Sequence, residues 1–240
     1  MKGLKMKPRQ LVLLTLFVFA APLRADIASS IARIKPSVVI IGTYKATGNP
    51  RFNLRGAGFA VEDGNLLVTN AHVLLASSDD ELGADLVIQT RDRRNELHMR
   101  QVTVIEVDKI HDLALLRFEG PALAPLALRD GNVREGQSIA FTGFPIGEAL
   151  GFSAVTHRGM ISSVTPLVLP APTDRQLNER SVRSRRDGSF DIYQLDATAY
   201  PGNSGGPMFD VETGEVLGVV NMVFVKRTKE SALSEPSGIS

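Results

Sequence analysis

The chain has 240 residues, of which 43% are hydrophobic, 22% are charged and none is cysteine. This length is enough for one substantial core or for two small cores that share an interface. Five of the 27 basic residues lie in residues 1–25 and none of the 26 acidic residues does, so the rest of the chain carries a formal charge of −4. That balance argues against nucleic-acid binding, and the lack of cysteine excludes disulfides, a lipoprotein anchor and thiolate metal sites.

Residues 1–25 have the pattern of a secretory signal peptide. Four of the first nine residues are basic, and residues 11–23 form a mostly apolar stretch. This stretch is shorter than the roughly 20 apolar residues that a membrane-spanning helix needs. We therefore expect cleavage near Ala25, a periplasmic or secreted protein, and no stable membrane span after cleavage.

The remaining sequence predicts one short helix followed by many strands. Residues 28–34 have helical character and stop before Pro36, as a helix should. Runs rich in β-branched and apolar residues then predict strands at 37–44, 57–62, 65–69, 85–90, 102–107, 112–118, 138–144, 154–163, 191–196 and 216–224. The Asp63-Gly64 pair predicts a hairpin between the second and third of these strands. Short strands at regular spacing indicate an all-β barrel or sandwich.

Residues 165–190 depart from this pattern, because they contain three prolines and five arginines and are too polar for a core strand. They fit a solvated surface loop. The alternative is a regulatory or partner-binding loop beside the functional site, since long loops in compact domains often carry function.

Three residues far apart in the sequence have the types that nucleophilic catalysis needs. Ser204 lies in the run Gly-Asn-Ser-Gly-Gly-Pro, His72 follows Thr-Asn-Ala, and Asp112 precedes an apolar strand. A serine hydroxyl attacks a peptide bond only when a base takes its proton, and a histidine oriented by a carboxylate can do so. The order His, Asp, Ser along the chain is that of a chymotrypsin-type triad. We therefore predict Ser204 as nucleophile, His72 as general base and Asp112 as the group that orients His72.

Glycines around the serine suit the second requirement of this chemistry, a site for the oxyanion. The backbone N–H groups of Gly202 and Ser204 are the predicted donors, because glycine permits the tight path that aims both at one point. His98, His111 and His157 lack comparable surroundings, and we expect them to be surface residues. No cluster of His, Asp and Glu shows metal-ligand spacing, so we expect no metal and no cofactor.

At these motifs the chain resembles the trypsin-like serine proteases, specifically the bacterial HtrA/Deg-type branch. The resemblance covers residues 28–240, and its matching segments are 35–39, 56–59, 67–73, 112–116, 136–138, 143–147, 156–162 and 196–198. It implies an all-β protease domain at 26–240 made of two six-stranded antiparallel β-barrels, at about 37–120 and about 134–240, with the triad in the cleft between them. We expect no PDZ domain, so peptide sensing through such a module cannot be assumed.

The resemblance also implies residues that hold substrate. Thr198 would lie at the base of the pocket for the side chain before the cleaved bond, and Asn221, Met222 and Val223 would form a strand that pairs with substrate backbone. Thr198 is not a carboxylate and Val223 would narrow the pocket, so we expect cleavage after small or aliphatic residues. In the branch, a stretch like Gly238-Ile239 begins a last strand that a helix follows, so we expect the second barrel to lack both at its C-terminus unless another chain completes it.

The sequence therefore predicts an exported serine endopeptidase, and the resemblance alone implies that its substrates are unfolded or exposed polypeptides of the cell envelope. Two alternatives stay open: a catalytically silent chaperone-like or binding protein on the same fold, and an esterase that uses the same triad. Members of the branch are often trimers, which leaves a homo-oligomer open as well.

Overall fold

The computed structural model describes residues 26–74, 83–92, 94–131, 133–145, 147, 151–167 and 190–221. The predicted signal peptide and the predicted substrate-binding residues Met222 and Val223 lie outside this part of the chain. The described elements are α1 (Ile27–Ile34), a 3₁₀ turn (Lys35–Ser37), β1 (Val38–Tyr44), β2 (Phe52–Val61), β3 (Leu66–Thr69), a second 3₁₀ turn (Ala71–Leu74), β4 (Asp85–Arg91), β5 (Leu97–Asp108), β6 (Leu113–Phe118), β7 (Ser138–Gly143), β8 (Val155–Leu167), β9 (Phe190–Asp196), β10 (Pro207–Asp210) and β11 (Val216–Val219).

The first six strands form a closed antiparallel barrel in the order β1-β2-β3-β6-β5-β4. Alternate residues of β6 face inward, as the period of two in a strand requires. The barrel closes where β1 pairs with β4, for example through Ile41 and Ile88. Its core is apolar and nearly free of solvent, with Val39, Ile41, Ala60, Leu67, Val73, Ile88, Leu116 and Phe118 in contact.

The other five strands form a second antiparallel sheet in the order β11-β10-β7-β8-β9, which curls around its own core. Ile139, Phe141, Ile161, Leu195, Met208 and Val220 make up that core. The expected all-β, chymotrypsin-like fold of two barrels with a short N-terminal helix is confirmed. Among the described residues, the second barrel has five strands, one fewer than the resemblance implies.

A third apolar cluster joins the two barrels. It includes Val38 and Phe59 from the first barrel and Ala140 and Phe209 from the second, and Ile34 of α1 packs with them. The helix also reaches the second barrel through polar contacts, since the Ser30 hydroxyl donates to the carbonyl of residue 211 at 3.2 Å and Arg33 donates to that of residue 213 at 2.9 Å. The two predicted cores therefore share an interface that α1 covers.

Some strand boundaries differ from the predicted ones. β2, β5 and β8 are longer than predicted, and the short strand β10 is absent from the prediction. β10 begins at Pro207, the last residue of the glycine-rich motif. That motif has the sequence signature of a turn, so the sequence did not indicate a strand at this point. Proline lacks an N–H donor, but it is tolerated as the first residue of a strand. Residues 165–167 and 190 belong to the predicted loop, yet they extend the β8–β9 hairpin, with Leu167 paired to Phe190.

Asp210, at the end of β10, is a buried carboxylate that holds the second barrel to the segment between the barrels. Its oxygens accept hydrogen bonds from the Gln137 side chain at 2.7 Å, from Arg129 at 3.3 Å and from two backbone N–H groups. Burial works to raise the pKa of Asp210, but these donors outweigh it and hold the pKa below its usual value.

Among the residues described, α1 and the two 3₁₀ turns are the only helices, and none has the length and hydropathy of a bilayer span.

Candidate active site

His72 and Asp112 lie side by side in the first barrel. His72 belongs to the 3₁₀ turn after β3, and Asp112 directly precedes β6. The Nδ1 atom of His72 is 2.6 Å from Oδ2 of Asp112, and the backbone N–H of His72 donates to Oδ1 at 2.9 Å. A carboxylate at Nδ1 favours the tautomer with the proton on Nδ1, which leaves Nε2 able to accept a proton.

The backbone at Asp112 is held in an unusual conformation. Its φ of 54° lies in the left-handed region, which costs free energy for residues other than glycine. Its carbonyl accepts hydrogen bonds from the N–H of Ala71 at 3.1 Å and from the side chain of Asn70 at 3.0 Å. These contacts with the turn that carries His72 compensate for the strain. The turn at Asp112 and the turn at His72 therefore hold each other in position.

The Asp112 carboxylate also receives a donor from the second barrel. The side-chain amide of Asn221 donates to Oδ2 at 2.8 Å. Burial works to raise the pKa of Asp112, but hydrogen bonds from the His72 ring and backbone, the nearby imidazole charge and Asn221 hold that pKa below its usual value. The carboxylate therefore stays ionised at neutral pH.

Asn221 is predicted from the sequence only as part of a strand that pairs with substrate. The structure also brings its side chain to Asp112, a contact that sequence reasoning missed. The available signal was an amide side chain directly after the apolar run 216–220, because a polar side chain in such a place needs a hydrogen-bond partner.

Ser204 lies in the second barrel, at the boundary between the two barrels, and is 5% exposed. Its carbonyl accepts a hydrogen bond from the N–H of Ala57, on β2 of the first barrel, at 2.7 Å. Gly205 follows with a φ of 83°, and a Cβ atom there would overlap the Ala57 carbonyl oxygen and the Thr69 hydroxyl. The glycine after the serine is therefore required both by its conformation and by the close approach of the other barrel.

The residues just before Ser204 form a tight turn. The N–H of Asn203 donates to the carbonyl of Tyr200 at 3.0 Å, and the carbonyl of Gly202 accepts from the N–H of Phe144 at 3.0 Å. Gly202 has a φ of 94°, and a Cβ atom there would overlap the Phe144 carbonyl oxygen. Within the described part of the chain, the N–H groups of Gly202 and Ser204 donate to no backbone or side-chain acceptor.

Thr198 lies in the segment between β9 and the serine turn, where its side chain is exposed. Of the predicted site residues, the structure thus describes His72, Asp112, Ser204, Gly202, Thr198 and Asn221, and it shows direct contact between the side chains of His72, Asp112 and Asn221.

His157 is not the surface residue that the sequence predicts. Its ring is half-buried and stacks on Phe141 of β7 with ring centres 5.1 Å apart, and Tyr200 lies beyond it at 5.8 Å. This burial lowers the pKa of His157, because the charged imidazolium would lose hydration. The signal was its place in β8 opposite Phe141.

The sequence analysis also missed a cluster of three side chains whose atoms are of the types that bind metal ions. Asp92, Glu96 and His98, around the turn between β4 and β5, place one ligand atom each within 4.8 Å of the others. All three are exposed, and hydrogen bonds inside the turn account for the arrangement, including one of 3.0 Å between His98 and Asp92. The spacing i, i+4, i+6 resembles no common ligand motif, which is why the sequence alone did not indicate it.

Comparison with known proteins agrees with this geometry. The family model described as "Trypsin-like peptidase domain" matches residues 56–219, which is more than half of the chain and includes His72, Asp112 and Ser204. The chain therefore belongs to the trypsin-like peptidase family.

Its relatives and structural neighbours include proteins of the HtrA/Deg type, which confirms the resemblance noted in the sequence. "Serine protease HTRA2, mitochondrial" of Drosophila grimshawi is 30% identical over 207 residues, covering 86% of this chain and 42% of the relative. The chain thus spans less than half the length of the curated relatives it matches. The crystal structure of Deg5 is 26% identical with a TM-score of 0.61, and the match covers 82% of this chain and 85% of that one. The HtrA-type protease AlgW with a tripeptide shares the fold, at 24% identity and a TM-score of 0.60, over 90% of this chain and 58% of that one.

Proposed function

We propose that this protein is a serine endopeptidase in which Ser204, His72 and Asp112 act as the catalytic triad. The observation that carries the proposal is the 2.6 Å hydrogen bond between His72 Nδ1 and Asp112, beside a serine turn that contacts the same barrel through Ala57. The match to the trypsin-like peptidase family over the same residues supports it.

In this mechanism the Oγ atom of Ser204 attacks the carbonyl carbon of the cleaved peptide bond while Nε2 of His72 takes its proton. The N–H groups of Gly202 and Ser204 hold the oxyanion of the tetrahedral intermediate. His72 then gives the proton to the leaving amine, which departs and leaves an acyl group on Ser204. A water molecule attacks this ester, again with His72 as base, and releases the carboxylate product and free Ser204.

The turn before Ser204 supports a resting state that can bind the oxyanion. If the Pro201–Gly202 peptide were reversed, the carbonyl of Pro201 would point toward the N–H of Ser204 and close a three-residue turn of 3₁₀ type. No such hydrogen bond occurs among the described residues, and both predicted donors are free there. The φ of 94° at Gly202 is also a conformation that glycine adopts easily. We infer that the oxyanion site is formed before substrate binds.

Polypeptides are the proposed substrates. The AlgW structure named above holds a tripeptide, and strand addition is a common way for a sheet edge to bind an extended peptide. We propose that the chain segment beginning at Asn221 provides that edge, that Thr198 lies at the base of a pocket for small or aliphatic side chains, and that the substrates are unfolded or exposed envelope proteins. The signal-like residues 1–25 support export to the periplasm or the medium.

The proposal is tested with an active-site serine probe. The folded protein should react with a fluorophosphonate at Ser204, and the Ser204→Ala variant should not. Absence of labelling, or equal labelling of the variant, would contradict the proposal and favour a silent binding protein. Cleavage of casein, compared with that of a short-chain ester, separates a peptidase from an esterase, because only a peptidase degrades the unfolded protein.

A further inference from the structure

A second aspartate, Asp108, stabilises the turn that precedes Asp112. Asp108 ends β5, and its Oδ1 atom accepts hydrogen bonds from the N–H groups of Ile110 at 2.9 Å and His111 at 3.1 Å. Its Oδ2 atom is 2.5 Å from Nδ1 of the His111 ring. The hydrogen bonds from the His111 side chain and backbone hold the pKa of Asp108 below its usual value. One carboxylate therefore shapes the whole turn between β5 and β6.

The His111 ring also contacts the second barrel. It packs against Phe190, the first residue of β9, with ring centres 4.6 Å apart and planes inclined by 56°. Phe190 pairs with Leu167 in the β8–β9 hairpin, so it is part of a sheet to which His111 does not belong. His111 thus lies between an aspartate of its own turn and an aromatic ring of the other barrel.

His111 is also the residue immediately before Asp112. Adjacent Cα atoms are held about 3.8 Å apart by the peptide bond, so a displacement of the His111 backbone changes the orientation of the next peptide. Asp112 has the left-handed φ of 54° and receives directional hydrogen bonds from His72. A small rotation of the turn therefore weakens the contact that orients the catalytic base.

We propose that His111 is a positioning residue of the active site. It fixes the turn that carries Asp112 through Asp108, and it holds that turn against the second barrel through Phe190. The inference rests on the proposed function, because His111 acts through Asp112 and touches neither substrate nor Ser204. The end of the β8–β9 hairpin is thereby connected to the triad by side-chain contacts.

The chain offers a matched control for the hydrogen bond between His111 and Asp108. His98 and Asp92 form a similar pair on the same barrel, with Nε2 and Oδ2 3.0 Å apart, and both histidine side chains are about half exposed. Exposed pairs of this kind contribute little to stability by themselves. The turn that holds His98 carries no residue of the proposed triad, so an effect confined to His111 reports the position of its turn rather than the loss of a surface contact between histidine and aspartate.

The experiment measures the rate at which a fluorophosphonate phosphonylates Ser204, with loss of fluoride, at increasing probe concentration, which separates the maximal rate from the half-saturating concentration. We expect His111→Ala to lower the maximal rate about three- to thirty-fold with the half-saturating concentration unchanged. His98→Ala should stay within about twofold of the unmodified protein.

His111→Phe, which keeps an aromatic contact with Phe190 but not the pair with Asp108, should recover part of the rate. Phe190→Ala should lower it, and the double variant with His111→Ala should be no slower than His111→Ala alone.

Equal rates for His111→Ala and His98→Ala would overturn the inference, as would a change confined to the half-saturating concentration. The same assay keeps the two proposals apart. If the unmodified protein does not react at Ser204, the proposed function fails; if it reacts there and His111→Ala reacts at the full rate, only the role of His111 fails. Should His111→Ala not fold, His111→Phe and Phe190→Ala decide the question, and full rates for both would overturn it.

Discussion

Replacing Asn221 by alanine removes the donor that lies 2.8 Å from Oδ2 of Asp112. Among the described residues, the carboxylate then keeps the two hydrogen bonds from His72. A hydrogen bond to a charged group contributes about 1.5–3 kcal/mol net, and the lower end applies because the Asp112 side chain is 26% exposed. Since about 1.4 kcal/mol corresponds to a tenfold change in rate, we expect kcat to fall about tenfold. KM should change little, because the substitution leaves the backbone at Asn221 in place.

The same substitution has a stability effect whose pH dependence can be worked out. The folded-state pKa of Asp112 is lowered, so its ionised form stabilises the fold above the usual carboxyl pKa of about 3.9, and that stabilisation is lost as pH falls through the folded-state value. Loss of the Asn221 donor brings the folded-state pKa closer to its usual value. The free energy of unfolding should therefore fall by about 1–2 kcal/mol at pH 7 and by progressively less as the pH falls through the folded-state pKa, below which Asp112 is protonated in both proteins.

Asn65 provides the control for this experiment. Its side-chain amide donates to the carbonyls of Phe118 and Gly120, which do not titrate. Urea unfolding of Asn65→Ala should show a loss that depends little on pH. The reasoning is refuted if Asn221→Ala loses the same stability at pH 7 and in acid, or if its kcat stays within about twofold of that of the unmodified protein.

Three further outcomes follow from the structure. Ser204→Ala and His72→Ala should each lower turnover by about 10⁶, and the double variant should be little worse, because triad members act as a unit; nearly additive losses in steady-state assays would contradict the triad. Gly205→Ala should lower the melting temperature far more than Gly136→Ala, because both positions have positive φ but only at Gly205 would a Cβ atom meet backbone of the other barrel; equal shifts would contradict that account. Asp210→Asn should lower the free energy of unfolding by about 1–3 kcal/mol at pH 7 and by less in acid, where the lowered pKa of Asp210 is passed and its ionic stabilisation is lost; urea titrations at both pH values check the sign.

Much of the fold could be predicted from sequence because its signals are local. The period of two in strands such as β6 and the turn at Asp63-Gly64 are properties of a few consecutive residues. β10 was missed because its four residues begin with proline, and a strand that short is defined by its neighbours β7 and β11 rather than by its own pattern. The ends of β8 and β9 were missed because they owe their extended conformation to each other rather than to a local pattern.

The candidate site divides in the same way. The residue types of His72, Asp112 and Ser204, with the glycines around the serine, indicate their chemistry through motifs of a few residues each. The contact of Asn221 with Asp112 joins residues that are 109 positions apart, and the packing of His111 on Phe190 also crosses between barrels. Such contacts depend on how the two barrels dock, which no local pattern encodes.

The hydrogen bond from Ala57 to the carbonyl of Ser204 joins the two barrels at the proposed nucleophile. The reactivity of Ser204 should therefore depend on how the two barrels dock. His72 and Asp112 belong to one barrel and Ser204 to the other, so neither half carries all three residues of the proposed triad. Two fragments separated within residues 119–137, between β6 and β7, would each be inert alone and would gain reactivity toward a serine probe only on association. During unfolding, such a probe would report the first loosening of the interface, ahead of the loss of either sheet.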